Sequence, residues 1–184
     1  MDLAGKLLIA MPSIGDPQFS GSVIYVCTHS SEGTMGLIIN KVMPNLKFSD
    51  VLKQIKMTSS NACGDLPVHF GGPVESGRGF VLHSSDYRST KDTALLPDGL
   101  ALTATRSILE AIAKGNSPAR AIFALGYSGW GSGQLEDEIA QNAWLTADYD
   151  EYLVFGSDSA TKWDGALAQI GVKAASLSST AGRA

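Results

Sequence analysis

Residues 126–145, GYSGWGSGQLEDEIAQNAWL, gather the polar and aromatic side chains best suited to build a site in this chain, with four glycines and two of its three tryptophans. Three enzymatic readings can be tested by spelling. A phosphate-cradling P-loop needs a lysine after its last glycine. This passage has none, and Glu136, Asp137 and Glu138 would repel a phosphate at the helix start that follows. A dinucleotide fingerprint needs G-x-G-x-x-G, whereas Gly129, Gly131 and Gly133 are spaced G-x-G-x-G. A hydrolase elbow needs G-x-S-x-G, and after Ser128 and Gly129 the place of the last glycine falls to Trp130. Two readings remain: a ligand or partner site built from Tyr127, Trp130, Gln134, Glu136, Asn142 and Trp144, or a corner where large rings and glycines simply pack.

Other residues carry chemistry in isolation. Cys27 and His29 stand two apart on an expected strand end, where they share a face, and a neighbouring imidazole can lower a thiol's pKa and make it redox-sensitive. The alternative is a small buried hydrophobe. Cys27, His29, His69 and His83 lack the close pair spacing of a zinc site, so no metal or other cofactor is expected. His83, Ser84, Ser85 and Asp86 resemble a triad only in one dimension, because neighbours on an extended chain point in different directions. Arg78, between glycines, is suited either to bridge the carboxylates at 136–138 or to hold an anionic ligand.

These residues need a scaffold. The apolar run 119–125 reads as a strand buried on both faces that delivers a glycine-rich loop. Gly126, Gly129, Gly131 and Gly133 allow that loop positive φ, and Ser132 then caps a short helix over 134–142 with Leu135, Ile139 and Ala143 on its buried stripe. Upstream, runs at 7–11, 22–28 and 35–40 read as strands, the last two as an antiparallel hairpin. Ser49 caps a helix through Ile55, and 58–65 is a polar loop holding Cys63. Runs 68–70 and 79–82 form a strand pair around Gly71, Gly72 and Pro73. A strand at 100–102 precedes a helix with Ile108, Leu109 and Ile112 buried, stopped by Gly115 and Pro118. Runs 144–149 and 152–155 read as strands about an acidic turn. A last helix over 161–170 carries Trp163, Leu167 and Ile170.

At 184 residues, with 44% hydrophobic and 17% charged residues, the chain is sized for one soluble domain over 1–184, its end at 173–184 a small polar tail. No apolar stretch approaches the roughly 18 residues of a membrane span. The first residues lack a secretory leader's pattern, and two cysteines make no disulfide framework, so a cytoplasmic location is expected. A net charge of −4 and no basic run argue against specific duplex DNA binding. Strand runs broken by helices, without regular βαβ alternation, favour α+β with a mixed sheet.

LLIAMPSIGDPQFSGSVIYVCTHSSEGTMGLIIN, FGGPVESGRGFVLHSSD and LGYSGWGSGQLEDEIAQNAWL together resemble the YqgE/AlgH family of bacterial proteins, from about Leu7 onward. The resemblance implies a compact α+β fold with a strongly bent, partly barrel-like mixed sheet flanked by about four helices. Family members carry the label of transcriptional regulator through a link to alginate production, without a defined reaction. Thr28, Val42, Ser107 and Arg183 depart from the family's pattern, whereas the glycine-tryptophan passage, Arg78, His83, Gln134, Glu136, Asn142 and Trp144 fit it. The functional expectation is a non-enzymatic regulatory or interaction protein, with an unidentified protein partner and an indirect effect on transcription. The alternative is a small-molecule-binding protein or weak enzyme using the glycine-tryptophan cleft.

Overall fold

The computed structural model describes residues 2–58, 66–87 and 92–177. Cys63 and Arg183 lie outside the described residues, and so does most of the expected 58–65 loop. Strand alternation builds the architecture. In β1 (Leu7–Ala10), Leu7 and Ile9 face one core while Leu8 and Ala10 face another, as a period of two requires. β2 (Val23–Ser30) continues both faces and makes the expected antiparallel hairpin with β3 (Gly33–Ile38).

The strand that organises the sheet is β9 (Ala121–Gly131), reached after β4 (Val42–Lys47), β5 (Pro67–Phe70), β6 (Val74–Ser84), β7 (Thr93–Leu95) and β8 (Leu100–Thr103). One edge of β9 pairs antiparallel with β6. The other takes β5, parallel, beside Phe123–Leu125, and then β3, antiparallel, beside Ser128–Gly131. With β10 (Trp144–Ala147), the path runs β10-β1-β2-β3-β9-β6-β8-β7. The result is a strongly curled, half-barrel sheet in a mixed α+β fold.

Three expectations are corrected here. The glycine-rich passage is no loop: β9 continues through Gly131, because backbone pairing with β3 overrides the glycines' low strand preference. Gly126, at φ 71°, supplies the bend, and a Cβ there would run into the Gly72 carbonyl oxygen. Among the four glycines only Gly126 and Gly133 have positive φ. Second, β5 and β6 do not pair with each other; β9 inserts between them, and both meet Phe123 in register. Third, the run at 152–155 is a helix, since Asp150 accepts the Leu153 N–H at 2.8 Å and nucleates the turn.

Five α-helices cover the sheet among the described residues, one more than expected: α1 (Phe48–Gln54), α2 (Arg106–Ala113), α3 (Gln134–Ala140), α4 (Glu151–Phe155) and α5 (Lys162–Gln169). α1 is closed by the Asp50 carboxylate accepting the Lys47 N–H rather than by Ser49. In α2, Ile108 and Ile112 are buried as expected and Leu109 is half-buried. α1 and α2 cover one core, α4 and α5 a second, and α3 a third. No helix among the described residues is long and apolar enough to cross a membrane.

Candidate functional site

α3 leaves β9 through Gly133, whose φ of 72° takes the N-cap place expected of Ser132. Its Leu135 is fully buried against Leu8, Ile24 and Ile38, which fixes the helix's rotation over the sheet. That rotation turns Gln134 and Glu138, one helical turn apart, toward the two indoles. Glu138 is the hub. Its Oε2 accepts the Nε1–H of Trp130 at 2.9 Å and of Trp144 at 2.8 Å, and its Oε1 accepts the Gln134 amide at 2.9 Å. Gln134 Oε1 in turn accepts the Gly131 N–H at 3.0 Å, tying the helix to the end of β9.

The Trp130 and Trp144 rings meet edge to face, 5.8 Å between centroids, and Phe19 packs against both, at 6.4 and 5.6 Å. Trp144 is buried and Trp130 only 7% exposed, so the indoles have a packing role as well. Phe19 comes from the turn after β1. There the Asp16 carboxylate accepts the Gln18 N–H at 2.8 Å, and the Asp16 carbonyl accepts the Phe19 N–H at 3.0 Å. Between this turn and α3 lies a cleft of about 450 Å³, within the roughly 300–1,000 Å³ of small-molecule sites. Ser13, Asp16, Phe19, Gln134, Glu138 and Gln141 are among its lining residues.

The remaining predicted residues are dispersed. Tyr127 packs edge to face on Phe80 at 5.6 Å, and Arg78 lies over the same Phe80 ring at 5.2 Å with its guanidinium 3.2 Å from Glu75. The bridge from Arg78 to the carboxylates at 136–138 therefore does not form, because the β6 bulge between Val74 and Gly79 carries Glu75 and Arg78 together. His83 is fully buried, with Nδ1 2.9 Å from the Ser84 carbonyl and Nε2 2.9 Å from Thr103 Oγ1; burial pushes its pKa down. It has no place in the cleft. Asn142 sits just past α3 at φ 58°, a backbone role for which asparagine is suited.

Cys27 occupies a bulge between Val26 and Thr28, with its sulfur in the core. Burial pushes the thiol up to about 12, which keeps it protonated and poorly nucleophilic at neutral pH. His29 turns elsewhere, with Nδ1 2.8 Å from Thr34 Oγ1 and Nε2 3.5 Å from Glu136. Among the described residues, no group of three or more His, Cys, Asp or Glu is placed to hold a metal ion. Trp130, Gln134 and Trp144 are thus brought together, while Glu138, Asp16 and Phe19 complete the corner without having been singled out. Two largely buried indole N–H groups require an acceptor, and Glu138, one helical turn from Gln134, supplies it.

Comparison with known proteins places this architecture. A UPF0301 protein of Ruegeria pomeroyi is 54% identical over 185 residues, and one of Cereibacter sphaeroides 51% identical over 184, each alignment covering 100% of both chains. The solution structure of the AlgH protein from Pseudomonas aeruginosa superposes with a TM-score of 0.82 at 38% identity, over 100% of this chain and 97% of that one. A Corynebacterium diphtheriae protein shares the fold at a TM-score of 0.71 and 20% identity, over 90% and 85%. The model of the AlgH-like family matches residues 7–175, and by that match and those relatives the chain belongs to the AlgH-like family.

Proposed function

We propose that this protein acts by binding: a regulatory protein, working in the cytoplasm, that takes a small ligand or a partner's side chain into the cleft between the 13–19 turn and α3. The observation that carries this reading is the Glu138 hub, which fixes two indoles and a glutamine amide into one rigid wall beside an open cleft. A site whose walls are held by their own hydrogen bonds loses little entropy when a ligand enters. Two side chains elsewhere that are able to do chemistry are otherwise engaged. The Cys27 thiol sits in the core and the His83 imidazole is committed to Thr103. Any effect on transcription is then indirect, in keeping with the net charge of −4.

The test fills the cleft without touching its wall. A Cβ at Gly15 meets nothing within 4 Å, so Gly15→Trp places a ring in open space at the lining. A ligand-observed NMR screen on wild-type protein should yield ligands that Gly15→Trp no longer binds, at an unchanged melting temperature. Ligands that bind both proteins equally, or a Gly15→Trp protein that complements a deletion strain fully, would overturn the reading. The variant should also leave DNA behaviour unchanged, with no specific duplex binding by either protein at about 150 mM salt.

A further inference from the structure

We infer that the cleft selects a small organic cation carrying N–H groups, an alkylammonium or alkylguanidinium. This rests on the reading that the cleft binds. The argument is an inventory of donors and charges. Of the lining's neutral side-chain donors, the Nε1–H of Trp130, the Nε1–H of Trp144 and one N–H of the Gln134 amide are turned inward to Glu138, and the second Gln134 N–H, the Gln141 amide and the Ser13 hydroxyl are the uncharged donors that remain. The three turned inward are unavailable to an anion, and the others carry no charge to attract one. Among the described residues, the lining contains two carboxylates, Asp16 and Glu138, and no lysine, arginine or histidine. Neutral donors hold the Glu138 carboxylate in place without cancelling its charge.

A carboxylate has about four lone-pair directions, and Glu138 uses three, two at Oε2 and one at Oε1. One remains, at Oε1, enough for a single N–H donor but not for a metal ion that demands several free oxygens. Glu136 and Asp137 in the first turn of α3 deepen the negative potential. Two basic side chains stand near. Lys41 interacts electrostatically with Asp16 and donates its ammonium to the Gln18 carbonyl at 2.7 Å, and His29 faces Glu136 at 3.5 Å. Neither lines the cleft. The half-buried Phe19 ring, with Trp130 beside it in the lining, supplies apolar and π surface against which an alkyl cation packs.

The experiment titrates four probes of matched size into the full chain: n-butylguanidinium, n-butylammonium, neutral n-butylurea and anionic pentanoate. Binding is read by tryptophan fluorescence and by amide shifts in 15N-labelled protein. Both cations should saturate with shifts confined to residues 13–19 and 129–144, and butylurea should bind about tenfold more weakly. Raising salt should weaken the cations and leave butylurea unchanged. Asp16→Asn, whose amide oxygen can still accept the Gln18 N–H, should weaken butylguanidinium about three- to tenfold and leave butylurea unchanged. Equal or tighter binding of butylurea or pentanoate in the same cleft overturns the charge inference while leaving the binding reading intact. Failure of both cations to saturate also overturns it, and the Gly15→Trp comparison then decides the binding reading separately.

Discussion

Glu138 and Lys162 are both charged residues drawn into the protein, and their surroundings differ in kind. Glu138 lies half-buried at the rim of a cleft, its carboxylate held by three neutral N–H donors from Trp130, Trp144 and Gln134. Lys162 opens α5 at 5% exposure, and its ammonium donates to two main-chain carbonyls, Val154 O at 2.6 Å and Ile39 O at 3.2 Å. Burial brings its pKa down to about 8. His69 is buried too, and its Nδ1 has no hydrogen-bond partner among the described residues. Burial and, secondarily, the Lys162 charge hold its imidazole below the usual range. A charge stabilised by fixed dipoles beside solvent keeps its field available to a ligand. A charge sunk between core elements spends its influence on the protein's own stability.

The largest effect should come from breaking the hub's apolar floor. Trp144→Ala should cost about 3–5 kcal/mol, since the ring is buried against Phe19 and Trp130. Glu138→Ala should cost about 2–4 kcal/mol, because two largely buried indole N–H groups lose their acceptor at once. Chemical denaturation of the two variants, with the double variant closing the cycle, measures the coupling. If Glu138→Ala unfolds with the wild-type midpoint, the carboxylate does not organise the corner.

Lys162 sharpens the contrast through pH. A lysine whose folded pKa falls from 10.5 to about 8 gives up its proton in the folded state while the unfolded chain still holds it. Stability therefore rises with pH across the window from about 8 to 10.5. Cys27 acts oppositely. Its thiol is raised from 9.0 to about 12, so the unfolded chain ionises first and stability falls across that range. The difference between wild type and Lys162→Met separates the two. The wild type should gain about 2 kcal/mol relative to the variant between about pH 7 and 10. A flat difference curve would mean that water reaches the ammonium.

Much of this was legible in the sequence, and the failures have physical causes. The apolar runs at 7–11 and 22–28 disclosed the strands that became β1 and β2, and the stop signals after Ala113 closed α2 where they should. Trp130, Gln134 and Trp144 were singled out as candidates from the glycine-tryptophan passage and the family resemblance, and they do meet in one corner. Glu138 was hidden because a glutamate near a helix start reads as a complement to the dipole; its second role depends on which way Leu135 turns the helix. Lys162 was hidden for a similar reason, since a lysine at a helix start is ordinarily solvated. The residues of β9 past Gly126 were read as a loop because pairing with β3 is a long-range fact. The five residues of α4 fit strand or helix equally until the Asp150 cap is seen.

Gln134→Ala gives the smallest change in stability and separates holding the wall from using it. The side chain is exposed, and it bridges the Gly131 N–H to Glu138 through one hydrogen bond at each end. Alanine is a good helix former, and water can satisfy both freed groups, so the cost should be below about 1 kcal/mol. Loss of the amide nevertheless frees a second lone pair on Glu138 and removes a donor from the cleft wall. If the carboxylate is what a ligand reads, Gln134→Ala should bind butylguanidinium as tightly as wild type or up to about threefold more tightly, at nearly unchanged melting temperature. A variant that melts normally yet loses the cation would assign recognition to the glutamine amide instead. The comparison would then have to be redrawn with Glu138 as a purely structural charge, like Lys162.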